Sequence, residues 1–386
     1  MTAHATDAPV HSFRELSHSV NSPISIASQT LRPVEDPRIV AIGGGTGLPI
    51  VLEGLKRELY TEMRSVSPER DRDRLTAIVT VADDGGSSGR LRQAYGVLPP
   101  GDIRNCLLAL ADRNSTLAAL FNYRFDGGDG GDEVRGHSLG NLILTALSSL
   151  EKDFSKAIER GSEILGIRGR VFPSTTEDIR LRAQFEDGSS IEGESRISSV
   201  SQTIRRVSLE PPDAAPLAEA VEAVLQADVV VIGPGSLYTS LIPVLLIKPL
   251  KDAIRQSDAR VVLVMNLTTE PGETDGYTAA DHLLAIRRHA PDMPIHHVLL
   301  NATPVPAELI QAYSMMGAAL VPPNVELLRA LGHQPRVCDV LGTGPKIRHD
   351  AHKLAQAILA MLVETPSSAG QSAPAMITQA SAVNAG

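Results

Sequence analysis

The chain has 386 residues, of which 42% are hydrophobic and 21% charged, and a formal net charge of -9. This is the composition of a globular protein with a sizeable core, in one large or two modest domains. The acidic balance excludes a general polyanion binder, so no nucleic-acid partner is expected. Two cysteines, Cys106 and Cys338, make no disulfide framework and point to a reducing cytoplasm.

Residues 1–36 are rich in Ser, His, Pro and Thr without an apolar period, and they read as a disordered arm with neither the basic nor the apolar part of a secretion signal. "RIVAI" (38–42) predicts a buried strand, followed by a helix with Leu48, Val51, Leu52 and Leu55 at helical spacing. "LTAIVTV" (75–81) is the second strand, and helices are predicted over 103–112, 138–150 and 154–166. Residues 179–198 then alternate apolar and polar on both sides of "EDGSS", a hairpin signal. A helix over 215–226 leads to "DVVVI" (228–232), "RVVLVMN" (260–266), a helix over 276–290, "HHVLLN" (296–301) and a last helix over 350–363. The most apolar window, Val229 to Ile247, carries "GPGS" and Pro243 and is no membrane span. Residues 365–386 contain no charge and read as a disordered tail, leaving one domain over 37–364. Apolar runs without alternation suit strands covered on both faces. The predicted fold is a doubly wound, mainly parallel α/β sheet with an inserted antiparallel hairpin.

Four strand ends carry unusual loops: "GGGTGL" (43–48), "ADDGGSSGRLR" (82–92), "GPGSLYTS" (233–240) and "LTTEPGETDGY" (267–277). In open α/β sheets ligands sit beyond the carboxyl ends of the strands, so these loops share one crevice if their strands are neighbours. In the first loop three consecutive glycines exceed what a turn needs and suit backbone contact with a phosphate at a helix N-terminus. The spacing breaks the dinucleotide fingerprint, because Leu48 stands where the last glycine belongs, and the Lys of a P-loop is missing. An NAD-dependent oxidoreductase is thereby disfavoured. In the second loop Asp83 and Asp84 can hold a divalent cation such as Mg2+, accept from sugar hydroxyls or cap a helix. Capping accounts for only one of them, and Ser87 and Ser88 can reach phosphate oxygens. In the third, Gly235 and Ser236 can present an amide and a hydroxyl to a phosphate, or Ser236 can simply cap the next helix.

"PPGDIRNCLLAL" (99–110) places Asp102 as the N-cap of an apolar helix, with Arg104 and Asn105 in its first turn, where an exposed arginine opposes the helix dipole unless an anion lies nearby. "GHSLGNLIL" (136–144) puts His137 ahead of another helix, as a satisfied N-terminal residue or a ligand contact. His296 and His297 sit on a strand without metal-ligand spacing. No G-x-S-x-G elbow and no H-E-x-x-H motif is present.

Taken in this order, "IGGGTGL", "ADDGGSSGRLR", "PPGDIRNCLLAL", "HSLGNLIL", "GPGSLYTS" and "PGETDGY" resemble the CofD-like family, and within it the gluconeogenesis factor (YvcK-like) branch, over roughly residues 38–363. The resemblance implies a Rossmann-like fold that binds nucleotide-sugars, notably UDP-N-acetylglucosamine and UDP-glucose. It also implies a cytoplasmic regulator linking carbon metabolism to cell-wall synthesis and cell shape. Carried onto this sequence, Gly44, Gly45, Thr46 and Gly47 become first-loop contacts, and Asp83, Asp84, Ser87 and Ser88 second-loop contacts. Asp102, Arg104, Asn105, His137 and Asn141 line the crevice, with Gly235, Ser236 and Tyr238 on its far side. The family's other branch contains metal-dependent 2-phospho-L-lactate transferases. This sequence departs from that branch in its "DDGGSSGRLR" form of the second loop and in lacking a tryptophan to stack on a deazaflavin. A protein partner and a homo-oligomer are compatible with either branch.

Overall fold

The computed structural model describes residues 36–60, 72–126, 133–200 and 202–363. Apart from Asp36, the predicted arm and tail lie outside these residues. Seven parallel strands form the main sheet: β1 (Ile39–Gly43), β2 (Leu75–Val79), β3 (Arg170–Pro173), β7 (Val229–Ile232), β8 (Arg260–Val264), β9 (His297–Asn301) and β10 (Gln334–Cys338). Every position of β1, β2 and β7 is buried, as a strand between two helical layers requires. Their order is β10-β9-β8-β7-β1-β2-β3. The chain builds outward from β1 in one direction, then returns to its other side at β7 and builds the opposite way.

The intervening helices are amphipathic in the way their sequences dictate. In α1 (Gly47–Leu59) the buried side chains are Leu48, Val51, Leu52, Leu55 and Leu59, one stripe at a period of about 3.6 residues. Gly54 lies on the same face, where a Cβ would come within 1.9 Å of the Ala351 carbonyl oxygen. This glycine lets α1 pack closely against α14 (Ala351–Val363). The first half also contains α2 (Gly86–Tyr95), α3 (Gly101–Leu110), α4 (Thr116–Asn122), α5 (Leu139–Glu151) and α6 (Phe154–Leu165).

The hairpin excursion is larger than predicted. β4 (Arg180–Phe185) alternates strictly between exposed and buried and pairs with β5 (Ser190–Glu192) around the expected turn. A short helix, α7 (Glu194–Ile197), follows, and then a third strand, β6 (Ile204–Glu210), which pairs on the other side of β4. A register shift between Gln184 and Phe185 breaks this pairing, and β6 itself does not alternate cleanly. The second half is completed by α8 (Ala218–Leu225), a single π turn over Leu237–Leu241, α9 (Ile242–Leu246), α10 (Lys248–Gln256), α11 (Ala279–His289), α12 (Ala307–Met315) and α13 (Val325–Ala330). Among the described residues no helix is long and apolar enough to cross a membrane.

Candidate functional site

The four loops singled out in the sequence leave the ends of β8, β7, β1 and β2, and these strands are consecutive neighbours. Strand order reverses between β1 and β7, so the loops converge where open α/β sheets bind their ligands.

After β1, each glycine has a local reason. Gly45 has φ +64, in the left-handed region. A Cβ on Gly44 would lie 2.6 Å from Thr80 Cγ2 and 2.7 Å from Asp102 Oδ2, and one on Gly47 would lie 2.2 Å from the Pro234 carbonyl oxygen. Within the run of three, a Cβ on Gly43 would lie 3.2 Å from Leu241 Cδ2, so Gly43 and Gly44 are explained by packing and Gly45 by its backbone conformation, and phosphate contact needs support from elsewhere. That support comes from α1 itself: its N-cap residue is Thr46, which makes no side-chain capping bond.

Asp102 is not the cap of α3 that its sequence position predicts. The Pro-Gly turn starts the helix two residues early, with Pro100 at the cap position and no side-chain bond there. Asp102 instead accepts the Gly45 N–H through Oδ2 at 2.6 Å, tying α3 to the first loop. Burial pushes its carboxyl up to about 6, with the Gly45 bond opposing.

The second loop is shorter than expected, because residues 86–95 form α2. Ser87 and Ser88 lie in its first turn and face different ways. Ser88 Oγ accepts the Gly101 N–H at 3.2 Å. Ser87 Oγ lies 2.8 Å from His137 Nδ1 and accepts from Asn141 Nδ2 at 2.9 Å. Asp83 takes the Gly85 N–H at 2.9 Å, and burial raises its pKa. Asp84 does cap a helix, although a distant one: its oxygens accept the Glu194 N–H at 3.0 Å and the Ser195 N–H at 2.8 Å, which holds the start of α7. Each Asp84 oxygen thus accepts one backbone N–H and keeps a second lone pair. No group of three or more His, Cys, Asp or Glu side chains fit to hold a metal occurs among the described residues.

Arg104 is buried, not exposed. Its guanidinium donates to Ser138 Oγ and, at 2.6 Å, to Asn105 Oδ1. Its stem lies against Gly140, where a Cβ would come within 2.9 Å of Arg104 Cδ. Burial and the nearby Arg124 lower its pKa to about 10. Arg104 thus braces α3 against α5, where Ser138 is the N-cap. His137 is buried beside it, and burial followed by the charges of Arg90 and Arg124 keeps its pKa low. Ser87 Oγ accepts from Asn141 and has its own proton to give; in the tautomer where it donates to His137 Nδ1, the ring proton lies on Nε2.

Across the crevice, Asn266 clamps Gly235 twice, accepting its N–H at 3.1 Å and donating to its carbonyl at 2.9 Å. Ser236 precedes the π turn but makes no side-chain cap bond; it hydrogen-bonds to Glu270. Tyr238, expected to line the site, is turned inward. Its ring is fully buried, its hydroxyl lies 2.8 Å from that of Tyr277, and it packs edge-on against Tyr277 and His289. A large apolar ring so close to the sheet fills the core and leaves nothing for the crevice. Glu273, from "PGETDGY", takes the Tyr238 N–H at 3.3 Å and the Thr239 hydroxyl at 2.9 Å. Burial and the adjacent Glu270 push its carboxyl up to about 7.

One group escapes the motif reading. Glu194, on α7, stands where burial and the carboxylates of Asp83, Glu273, Asp84 and Asp102 raise its pKa to about 8. Nothing in the sequence marks it, since it reaches the site only through an Asp84 contact that spans 110 residues.

The crevice is therefore lined by the N-termini of α1, α2 and α3, none with a side-chain cap, joined to one another by the Gly45–Asp102 and Ser88–Gly101 bonds. Ser88 already takes the first N–H of α3, and the remaining first-turn N–H groups and positive dipole ends of these helices are what they offer an anion. A cavity of about 80 Å³ lies elsewhere, at the amino ends of the strands between Arg38, Asp73, Arg170 and Gln226. Its charges are already matched: Arg170 pairs with Asp73 at 2.8 Å and Arg38 donates to Gln226. A void of about 10 Å³ behind the β7 and β8 loops is apolar-lined and too small for a ligand.

Residues 39–341 match the profile of the family described as 2-phospho-L-lactate transferase CofD. The chain is 46% identical over 330 residues to the gluconeogenesis factor of Listeria innocua, covering 84% of this chain and 96% of that protein. It is 41% identical over 332 residues to the gluconeogenesis factor of Bacillus subtilis, covering 86% and 99%. The crystal structure of a UPF0052 family protein from Bacillus halodurans superimposes with a TM-score of 0.77 at 42% identity, covering 84% of this chain and 99% of that one.

Proposed function

This chain belongs to the CofD family, and we propose that within it the protein acts as a gluconeogenesis factor that binds a nucleotide-sugar in the switch-point crevice. The ligand is UDP-N-acetylglucosamine or UDP-glucose, and the bound state couples carbon metabolism to cell-wall synthesis and cell shape through a protein partner in the cytoplasm. The observation that carries the reading is the convergence of three uncapped helix N-termini beside a wall of carboxylates. A nucleotide-sugar presents both complements: phosphates for the amides, and hydroxyls for the carboxylates.

The transferase for which the family profile is described is the second reading. It calls for a divalent cation; no three ligating side chains converge among the described residues, so Asp83 and Asp84 are the carboxylates that would hold one together with ligand phosphates. No step is drawn through a metal.

Thermal-shift measurements with UDP-N-acetylglucosamine, UDP-glucose and NAD test the assignment. At about 100 times its dissociation constant, a ligand that binds only the folded state adds roughly 2.7 kcal/mol. The UDP-sugars are expected to stabilise the protein more than NAD and to be recovered intact after incubation. A larger shift with NAD overturns the reading, and protein-dependent release of UDP or UMP transfers it to the transferase.

A further inference from the structure

We propose that the crevice is polarised along its length, with the ligand's diphosphate on the amides at the start of α2, the helix N-terminus that borders the basic corner of His137, Arg90 and Arg124, and its sugar hydroxyls held by a carboxyl wall headed by Glu194. The proposal rests on the nucleotide-sugar reading above. It adds which end of the ligand goes where, and which residue separates a sugar-bearing nucleotide from a bare one.

The first turn of α2 divides the two ends. Ser87 faces α5 through His137 and Asn141, while Ser88 faces the start of α3. On the Ser87 side, Arg90 donates to the Arg135 carbonyl at 2.6 Å and Arg124 donates to the Gly136 carbonyl. These bonds pin two exposed guanidinium groups just ahead of His137, close enough for both charges to act on its ring. Each guanidinium keeps further N–H donors, and His137 adds Nε2–H. A second sign of a ligand lies in the same corner. Asn141 is 2% exposed, and its Oδ1 has no hydrogen-bond partner, although its Nδ2 is committed to Ser87.

On the Ser88 side five carboxyls cluster, Asp83, Asp84, Asp102, Glu194 and Glu273, and they outnumber the two cations that act on them, Arg92 on Asp83 and Arg104 on Asp102. Phosphates placed there meet like charge in a poorly hydrated space, whereas hydroxyls donate to carboxyl oxygens. Four of the five carboxyls already hold protein donors. Glu194 has no hydrogen bond to its carboxyl among the described residues. Its helix is fixed from both sides of the crevice, by Asp84 at its start and by the Ser198 hydroxyl donating to Glu273 at 3.1 Å. Glu194 is thus held in place while its carboxyl stays available.

The test is calorimetric titration of the full chain with UDP and with UDP-N-acetylglucosamine, using wild type, Glu194→Ala and Arg124→Ala. Glu194→Ala is expected to weaken UDP-N-acetylglucosamine about tenfold or more while UDP stays within about twofold, and Arg124→Ala to weaken both ligands alike. Equal loss of both ligands in Glu194→Ala, loss of neither, or an unchanged UDP affinity in Arg124→Ala overturns the polarity. Should wild type bind neither ligand, the functional reading itself fails, an outcome visible before any variant is made. Glu194→Leu, which fills similar volume without an acceptor oxygen, replaces the alanine variant if the latter does not fold, with the same two outcomes.

Discussion

Two glycine-rich turns face each other across the switch point, one after β1 and one after β7, and their polar groups are spent differently. The β7 turn is closed on itself. Asn266 takes both the amide and the carbonyl of Gly235, Glu273 takes the next helical turn, and Tyr238 fills the core. The β1 turn has one side-chain tie, from the Gly45 N–H to Asp102, and the N-cap residues of α1, α2 and α3 around it make no side-chain capping bonds. Similar sequence signatures thus serve as a brace on one side and leave helix starts without side-chain caps on the other. A glycine count alone cannot tell the two apart, because the difference lies in which distant side chains reach the loop.

The comparison breaks most severely where the two turns touch. A methyl on Gly47 would sit 2.2 Å from the Pro234 carbonyl oxygen, and neither backbone can retreat without disturbing the sheet ends. Gly47→Ala is expected to destabilise the ligand-free protein by about 3 kcal/mol, at the upper end of ordinary overpacking. Gly86→Ala is the matched control. Gly86 has φ +48, but a methyl added there would meet nothing within 4 Å, so only backbone strain of about 1 kcal/mol applies. Urea unfolding of both variants reads the difference, and equal losses would mean that the turns do not brace each other.

Arg104 sharpens the comparison from the receiving side. A surface arginine at that helix turn would be expendable, whereas a buried one bonded to Ser138 and Asn105 is not. Arg104→Ala is expected to cost about 2 kcal/mol of stability, the loss of charge-assisted bonds to buried partners. UDP-sugar affinity is expected to fall with it, because α5 and His137 lose their support. Arg104→Lys recovers part of both, since a point charge cannot replace the two-pronged geometry. Weakened binding at unchanged melting temperature would instead return Arg104 to direct ligand contact.

The central parallel strands were legible because burial on both faces forces unbroken apolar runs such as "IVAIG" and "VVVI". The edge strands were not. β3 ends in Pro173 and β10 contains Pro335 and Arg336, residues that edge positions tolerate and that erase the strand pattern. The loops of the site were found because glycine, aspartate and serine cluster there. Their roles were harder, because Asp102, Asp84 and Arg104 are each defined by partners far away in sequence: Gly45, the start of α7, and Ser138. Tyr238 shows the converse error, since a motif position next to a ligand loop can still point into the core.

The smallest expected effect concerns proton uptake on the two flanks. Burial and mutual repulsion raise Asp102 to about 6, Glu273 to about 7 and Glu194 to about 8. A carboxyl whose pKa is higher folded than unfolded binds more protons in the native state, so its contribution is fully present below the unfolded value. It is lost as pH rises through the folded value. The buried histidines act in the opposite sense. His289 accepts the Val207 N–H through Nε2 at 2.9 Å, and burial lowers its pKa, so its contribution is lost as pH falls below its unfolded value. The two trends overlap in wild type, and Glu194→Gln separates them by removing one carboxyl and no histidine. The melting temperature of wild type relative to Glu194→Gln is expected to decline between about pH 5 and about pH 8, by only a degree or two, roughly, because Glu194 is part exposed and solvent screens it. Parallel melting curves across that range would show that Glu194 titrates as an ordinary surface carboxylate and does not belong to the acidic wall.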